Sequence, residues 1–192
     1  QHMLYTAITS GRPYTVRYPR GLALGIELDP TLKTMPIGRG EIVREGRDLT
    51  LFAYGSMVAV GLQAAQELEK RGISCGVANA RFAKPLDMEL LKRIVAATPR
   101  ILTLEEHLEI GGFGAGVLEA LHDAGLPCDH VKVHAIADQF IEHSPQLQQR
   151  HTLKLDVEGV VEKVIATFPD LGHSAGKGPA PDGTLKEKKF AE

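Results

Sequence analysis

Hydrophobic positions fall into short runs separated by Gly, Pro and Asp, and the spacing inside each run indicates its element. Residues 49–54 (LTLFAY) form a strand-type run closed by Gly55-Ser56. The spacing then predicts a helix over 57–70, with Val58, Leu62, Ala65 and Leu68 on one face and Gly72 as its stop. A second strand at 74–80, a helix over 87–97 with Asp87 as N-cap behind Pro85, and a third strand at 100–104 complete a βαβαβ series. Glycines 111, 112, 114 and 116 lead into a helix through Val117, Leu118, Leu121 and Ala124. Residues 131–136 supply a fourth strand, and Asp156 caps a last helix over 157–168 with an apolar stripe at 160, 161, 164 and 165. Such alternation implies an α/β fold with a mainly parallel sheet covered by helices on both faces.

The two ends break this rhythm. Residues 2–10 have helical spacing, Gly11-Arg12-Pro13 interrupts it, and 14–18 (YTVRY) reads as a strand. One helix and one strand cannot bury a core. Residues 21–40 carry Gly and Pro without periodicity, as a linker does, which places a boundary near Pro36. The expected division is 1–36, a main domain over 37–170, and a flexible tail over 171–192 that is rich in Gly, Ser, Pro and Lys.

The chain has 192 residues, 43% of them hydrophobic, enough for one core of ordinary domain size. With 22 Lys plus Arg against 24 Asp plus Glu, the net charge of -2 gives no electrostatic case for nucleic acid or a membrane surface. No apolar run approaches the roughly 18 residues of a membrane span, and no signal-peptide pattern opens the chain. Cys75 and Cys128 lie in or beside apolar runs without CxxC spacing, so they read as buried free thiols in a reducing compartment.

Several groups could carry chemistry. The glycine run 111–116 follows a strand and opens a helix, the setting of a phosphate loop, and allows an independent nucleotide-binding enzyme. Its spacing departs from GxGxxG and no acidic residue ends a following strand, so a tight turn for close helix packing is the stronger reading. Glu105, Glu106 and His107 follow the third strand, where paired carboxylates can act as acid and base or can cap a helix and hold an ion pair. Asp138, His143 and Ser144 are triad types, but Ser144 precedes Pro145 and lacks a nucleophile elbow. Arg81 and Lys84 are two cations at a strand end, favoured as solvated or ion-paired charges.

The run Tyr14-Thr-Val-Arg-Tyr-Pro-Arg20 ends a predicted strand in two guanidiniums, whose planar donors match a phosphate or carboxylate two bonds at a time. Alternation points Arg17 opposite Val16 and Tyr18, as an ion-pair partner, whereas Arg20 lies past Pro19 and is freer to reach a ligand.

The order of these motifs resembles the C-terminal part of the transketolase-like thiamine diphosphate enzymes, and within them the 1-deoxy-D-xylulose 5-phosphate synthases. The matching residues are Arg17-Tyr-Pro-Arg20-Gly21, Pro36-Ile-Gly-Arg-Gly-Glu41, Ala80-Arg-Phe-Ala-Lys-Pro-Leu-Asp87, Thr103-Leu-Glu-Glu106, Gly111-Gly-Phe-Gly114 and Asp138-Gln-Phe-Ile-Glu-His143 with Gln146. The resemblance implies a three-layer sandwich with a mixed, mainly parallel sheet of five strands over 37–170, preceded in 1–36 by the end of a pyrimidine-binding middle domain. It implies a homodimeric bacterial cytoplasmic enzyme that joins pyruvate to glyceraldehyde 3-phosphate with loss of carbon dioxide. Thiamine diphosphate and Mg2+ are held by the family's earlier segments, so this chain by itself is expected to be inactive. Arg20 matches the position that contacts the acceptor phosphate; no such role carries over to Arg17, which the alternation of the segment leaves as a support for Arg20. Ser144-Pro145 departs from the family's usual Gly-Ser or Gly-Thr. A competing reading is an interaction or dimerisation domain of another transketolase-like enzyme or a 2-oxo acid dehydrogenase β-subunit.

Overall fold

A computed structural model describes residues 1–19, 25 and 27–173. They belong to two compact units, one taking in Gln1–Pro36 and the other starting at Ile37.

In the first unit, helix α1 (His2–Thr9) carries a strap of chain on one side. Gln1 Nε2 donates to the Asp29 carbonyl at 2.7 Å, the Lys33 amide to His2 Nδ1 at 3.2 Å, and the Met35 amide to Thr6 Oγ1 at 2.8 Å. Met3, Leu4, Ala7 and Ile8 of α1 line an apolar groove with Tyr14, Val16 and Tyr18. The even positions of 14–18 therefore face the groove and Arg17 does not, as alternation requires. The expected strand is nevertheless absent: these residues pair with no other strand among the described residues. A strand is defined by its ladder, and apolar alternation alone supplies no partner.

The second unit is a three-layer α/β/α sandwich. Its strands are β1 (Glu41–Arg44), β2 (Leu49–Ala53), β3 (Cys75–Asn79), β4 (Ile101–Leu108) and β5 (Val131–Ile136), in the order β1-β3-β2-β4-β5. Strands β2 to β5 are parallel and β1 is antiparallel to β3, so the sheet is mixed as the family resemblance implies. Side-chain alternation splits the core in two. Leu49, Leu51, Leu102 and Leu104 face helices α2 (Met57–Lys70) and α6 (Val157–Thr167). Phe52, Ala78 and Ile101 face α3 (Met88–Ala97) and α4 (Phe113–Asp123). Phe52 meets Phe113 edge-on at 5.2 Å, and Tyr54 stacks on the same ring at 5.3 Å. Central strand β2 is buried at every position, which explains its unbroken apolar run.

The structure corrects the sequence reading in several places. Strand β1 was not visible in the pattern, because its four residues EIVR include two charges and it lies on the sheet edge. Helix α5 (Gln146–Thr152) buries none of its residues, so no apolar stripe announced it. The inner face of α2 is Met57, Val60, Gly61, Ala64, Ala65 and Leu68, while Val58 and Leu62 are only half-buried. Cys75 is buried and desolvation pushes its thiol up to about 12, but Cys128 is half-exposed. Of the tail expected over 171–192, residues from 174 onward lie outside the described residues.

His134 on β5 is 7% exposed, with Nε2 2.7 Å from the Lys154 carbonyl. Burial lowers its pKa below 6.5, and the Lys154 carbonyl only partly opposes this. The unfolded chain therefore takes up this proton first. Stability should fall as pH drops through 6.5 and level off below the folded pKa. Thermal unfolding between about pH 5 and 8 should show that slope, and His134→Gln should flatten it.

Candidate functional site

Because β2 to β5 run parallel, their carboxyl ends share one edge of the sheet, where ligands of open α/β sheets bind. That edge gathers Ser56, Arg81, Glu105, Glu106 and His107 together with the loop 137–145. Strand β4 runs on to Leu108, so Glu105, Glu106 and His107 lie within it and not after it. The register shift between Leu104 and Leu108 marks this stretch as irregular.

The two adjacent glutamates serve different partners. Glu105 is 1% exposed and accepts the Phe113 amide on Oε2 and the Gly114 amide on Oε1, both at 2.6 Å. It fills the position at the head of α4 where an anionic ligand would sit, and its charge lies at the positive end of that helix. Two of the glycines allow this close approach. A Cβ on Gly112 would lie 2.5 Å from Glu105 Oε2, and one on Gly114 2.5 Å from Thr103 Oγ1 and 2.7 Å from Val133 Cγ1. Within the run, Gly112 makes room for the Glu105 carboxylate and Gly114 for close packing of α4 on the sheet, while Gly111 at a φ of +69° serves the turn, in keeping with the tight-turn reading.

Glu106 accepts from Ser56 Oγ at the start of α2 and from Arg150 Nε of α5. It ties three elements together at the sheet edge, with its side chain 24% exposed. In these contacts the two carboxylates serve as a helix cap and as an ion-pair partner, the structural alternatives to an acid and base pair. Ring nitrogen Nδ1 of His107 is buried without a hydrogen-bond partner. Asp138 and His143 are exposed, and no hydrogen bond joins either to Ser144 among the described residues. Arg81 is ion-paired with Glu41 at 2.5 Å, which takes one of the two cations at this strand end out of play. Lys84 is exposed and makes no ion pair among the described residues.

Of the arginines singled out in the sequence, Arg17 is exposed and pairs with no carboxylate among the described residues. Arg20 lies outside the described residues. The contacts that sequence reasoning missed include the second role of Asp87, whose Oδ2 accepts the Gly40 amide at 3.0 Å, and the Glu106–Arg150 pair. The only signals for that pair were a carboxylate near a strand end and an arginine in a polar segment.

The residues present do not fit thiamine diphosphate or its metal. The helix head that could cradle a diphosphate is closed by Glu105, and the described residues hold no group of three His, Cys, Asp or Glu placed to bind a metal ion.

Residues 38–160 match the family model of the transketolase C-terminal domain. The 1-deoxy-D-xylulose-5-phosphate synthase of Heliobacterium modesticaldum is 48% identical over 143 residues, covering 74% of this chain and 22% of that protein. Those of Syntrophus aciditrophicus and Geobacter sulfurreducens are each 43% identical over 175 residues, covering 91% of this chain and 27% and 28% of the relatives. The chain thus spans about a quarter of the length of these relatives. Among solved structures, a split-gene transketolase chain described as an inactive β4 tetramer superposes with a TM-score of 0.62 at 32% identity, covering 79% of this chain and 47% of that one. No helix among the described residues is long and apolar enough to cross a membrane. The chain belongs to the transketolase C-terminal domain family, in its 1-deoxy-D-xylulose-5-phosphate synthase branch.

Proposed function

We propose that this polypeptide is the C-terminal part of a bacterial, cytoplasmic, thiamine diphosphate- and Mg2+-dependent synthase that condenses pyruvate with glyceraldehyde 3-phosphate to 1-deoxy-D-xylulose 5-phosphate and carbon dioxide. Such a product feeds isoprenoid precursors. The observation that carries this reading is the 43% identity to the Syntrophus synthase over 91% of the chain, a match long enough to include position 20 wherever it starts. Carbanion stabilisation is the cofactor's chemistry, and the segments that would bind it belong to the rest of the enzyme.

On this reading residues 1–36 end the middle domain, and residues 37–170 form the third domain, a scaffold for the remaining domains and for a homodimer. Arg20 binds the acceptor phosphate, a dianion remote from the reacting aldehyde. Binding energy collected there can hold the aldehyde in attack geometry. Arg17, on the opposite side of the extended segment from Val16 and Tyr18, supports that segment.

The polypeptide should show no turnover by itself, and activity should return when the remaining segments of the enzyme are supplied by co-expression. The inactivity described for the split-gene transketolase chain supports this expectation. Product formation from pyruvate and glyceraldehyde 3-phosphate is the measurement, and turnover by the isolated polypeptide would refute the reading.

A further inference from the structure

The motif Asp138-Gln-Phe-Ile-Glu-His143 takes no part in the proposed reaction, yet residues 137–143 all stand exposed at the carboxyl edge of the sheet. Phe140 is wholly exposed, and on the segments beside it Ile110 is 72% and Leu147 78% exposed. Leu108 and Ile141 are exposed as well. Single apolar side chains in water are ordinary, but several on one end of a domain mark a surface that something covers.

The three segments that carry them are fastened together. The Glu109 amide donates to the Ile136 carbonyl at 2.8 Å, which lays the end of β4 beside the start of the 137–145 loop. Gln149 Nε2 donates to the Glu142 carbonyl at 3.2 Å, and Arg150 Nε to Glu106. Helix α5 sharpens the point. It has seven residues and buries none of them, whereas a helix shorter than about 12 residues is marginal in water without a packed face. These polar ties set α5 against the sheet edge and leave Leu147 in water.

The charges around the face are of one sign. Glu109, Asp138 and Glu142 are exposed and make no ion pair among the described residues. The cations of the same edge, Arg81 and Arg150, are already paired with Glu41 and Glu106. A twofold contact between copies of this face would set its acidic ring against itself, which disfavours a second copy as the occupant. Apolar and aromatic anchors within a charged rim are the usual anatomy of a surface that binds another protein surface. Chain to supply one exists in the relatives, of whose length this polypeptide covers only 22 to 28%.

We infer that Phe140, Leu147 and Ile110 anchor this face to the synthase segments that lie outside this chain, on an apolar surface there ringed by Arg and Lys. This rests on the reading of the chain as the C-terminal part of that enzyme.

The test is reassembly: the tagged polypeptide is co-expressed with the remaining segments, and both the amount retained with it and the turnover are measured. Phe140→Ser combined with Leu147→Ser should cut both by about ten-fold or more, because a few central anchors carry most of an interface. Glu109→Lys with Glu142→Lys should cut retention by about five-fold, and the loss should shrink in high salt. Urea unfolding of the isolated variants should match the parent, since these side chains stand in water there. Parental retention and turnover in the Phe140 and Leu147 variant overturn the proposal. Lowered stability of that variant in isolation also overturns it, because the two side chains would then serve the fold of this chain alone. An isolated parent that runs as a dimer, with the variant a monomer, gives the face to a second copy and overturns it too. Slow hydrogen exchange over 137–152 in the isolated parent that deletion of residues 174–192 releases gives the face to that end of the chain, with the same result. A parent that retains none of the remaining segments removes the reading beneath the proposal, and the proposal with it.

Discussion

Arg20→Ala in the full-length enzyme is expected to raise the KM for glyceraldehyde 3-phosphate by about ten- to a hundred-fold, the effect of losing a charged hydrogen-bonding partner worth about 1.5 to 3 kcal/mol. The KM for pyruvate should stay near the parental value, because pyruvate carries no phosphate for that guanidinium to meet. Arg20→Lys should fall between, since a point charge keeps the attraction and loses the planar fork. Where remote binding energy also orients the aldehyde, kcat falls together with acceptor affinity. Steady-state kinetics with each substrate varied in turn measure this, and an acceptor KM that does not move would end the assignment.

The second large effect concerns stability. Glu105→Ala should destabilise the second unit by about 2 to 5 kcal/mol, because the Phe113 and Gly114 amides lose their acceptor inside the fold and each unpaired buried amide costs about 1 to 3 kcal/mol. Glu105→Gln keeps one acceptor oxygen but turns a donor toward the other amide, so its cost should be smaller. Glu106→Ala should cost less still, because its partners Ser56 and Arg150 can turn to water. Urea unfolding followed by circular dichroism gives all three. An Ala variant within about 1 kcal/mol of the parent would mean that solvent reaches the head of α4.

Much of this was legible in the chain. The βαβαβ spacing gave the parallel core because every buried strand and every amphipathic helix leaves a local signature, and Asp87 and Asp156 announced their caps, realised through the Leu90 and Gly159 amides. Gly112 and Gly114 fit the reading of the run as a tight, closely packed turn, and of the two readings of Glu105 the structure realises the helix cap. Strand β1 and helix α5 were invisible because neither has an apolar face long enough to show a period. The segment 14–18 misled in the opposite way: its alternation is real and its side chains follow it, but its backbone pairs with no strand among the described residues.

The sequence by itself determined the layer order, the caps and the family, since each depends on residues close together in the chain. Tertiary structure alone decided what the charges do. Glu105 and Glu106 are neighbours in sequence yet face a helix head and an arginine on different elements, and Asp87 is joined to Gly40 only because β1 pairs with β3. A carboxylate's role depends on which donors the fold brings within 3 Å or so, and that distance is set by long-range packing rather than by spacing along the chain.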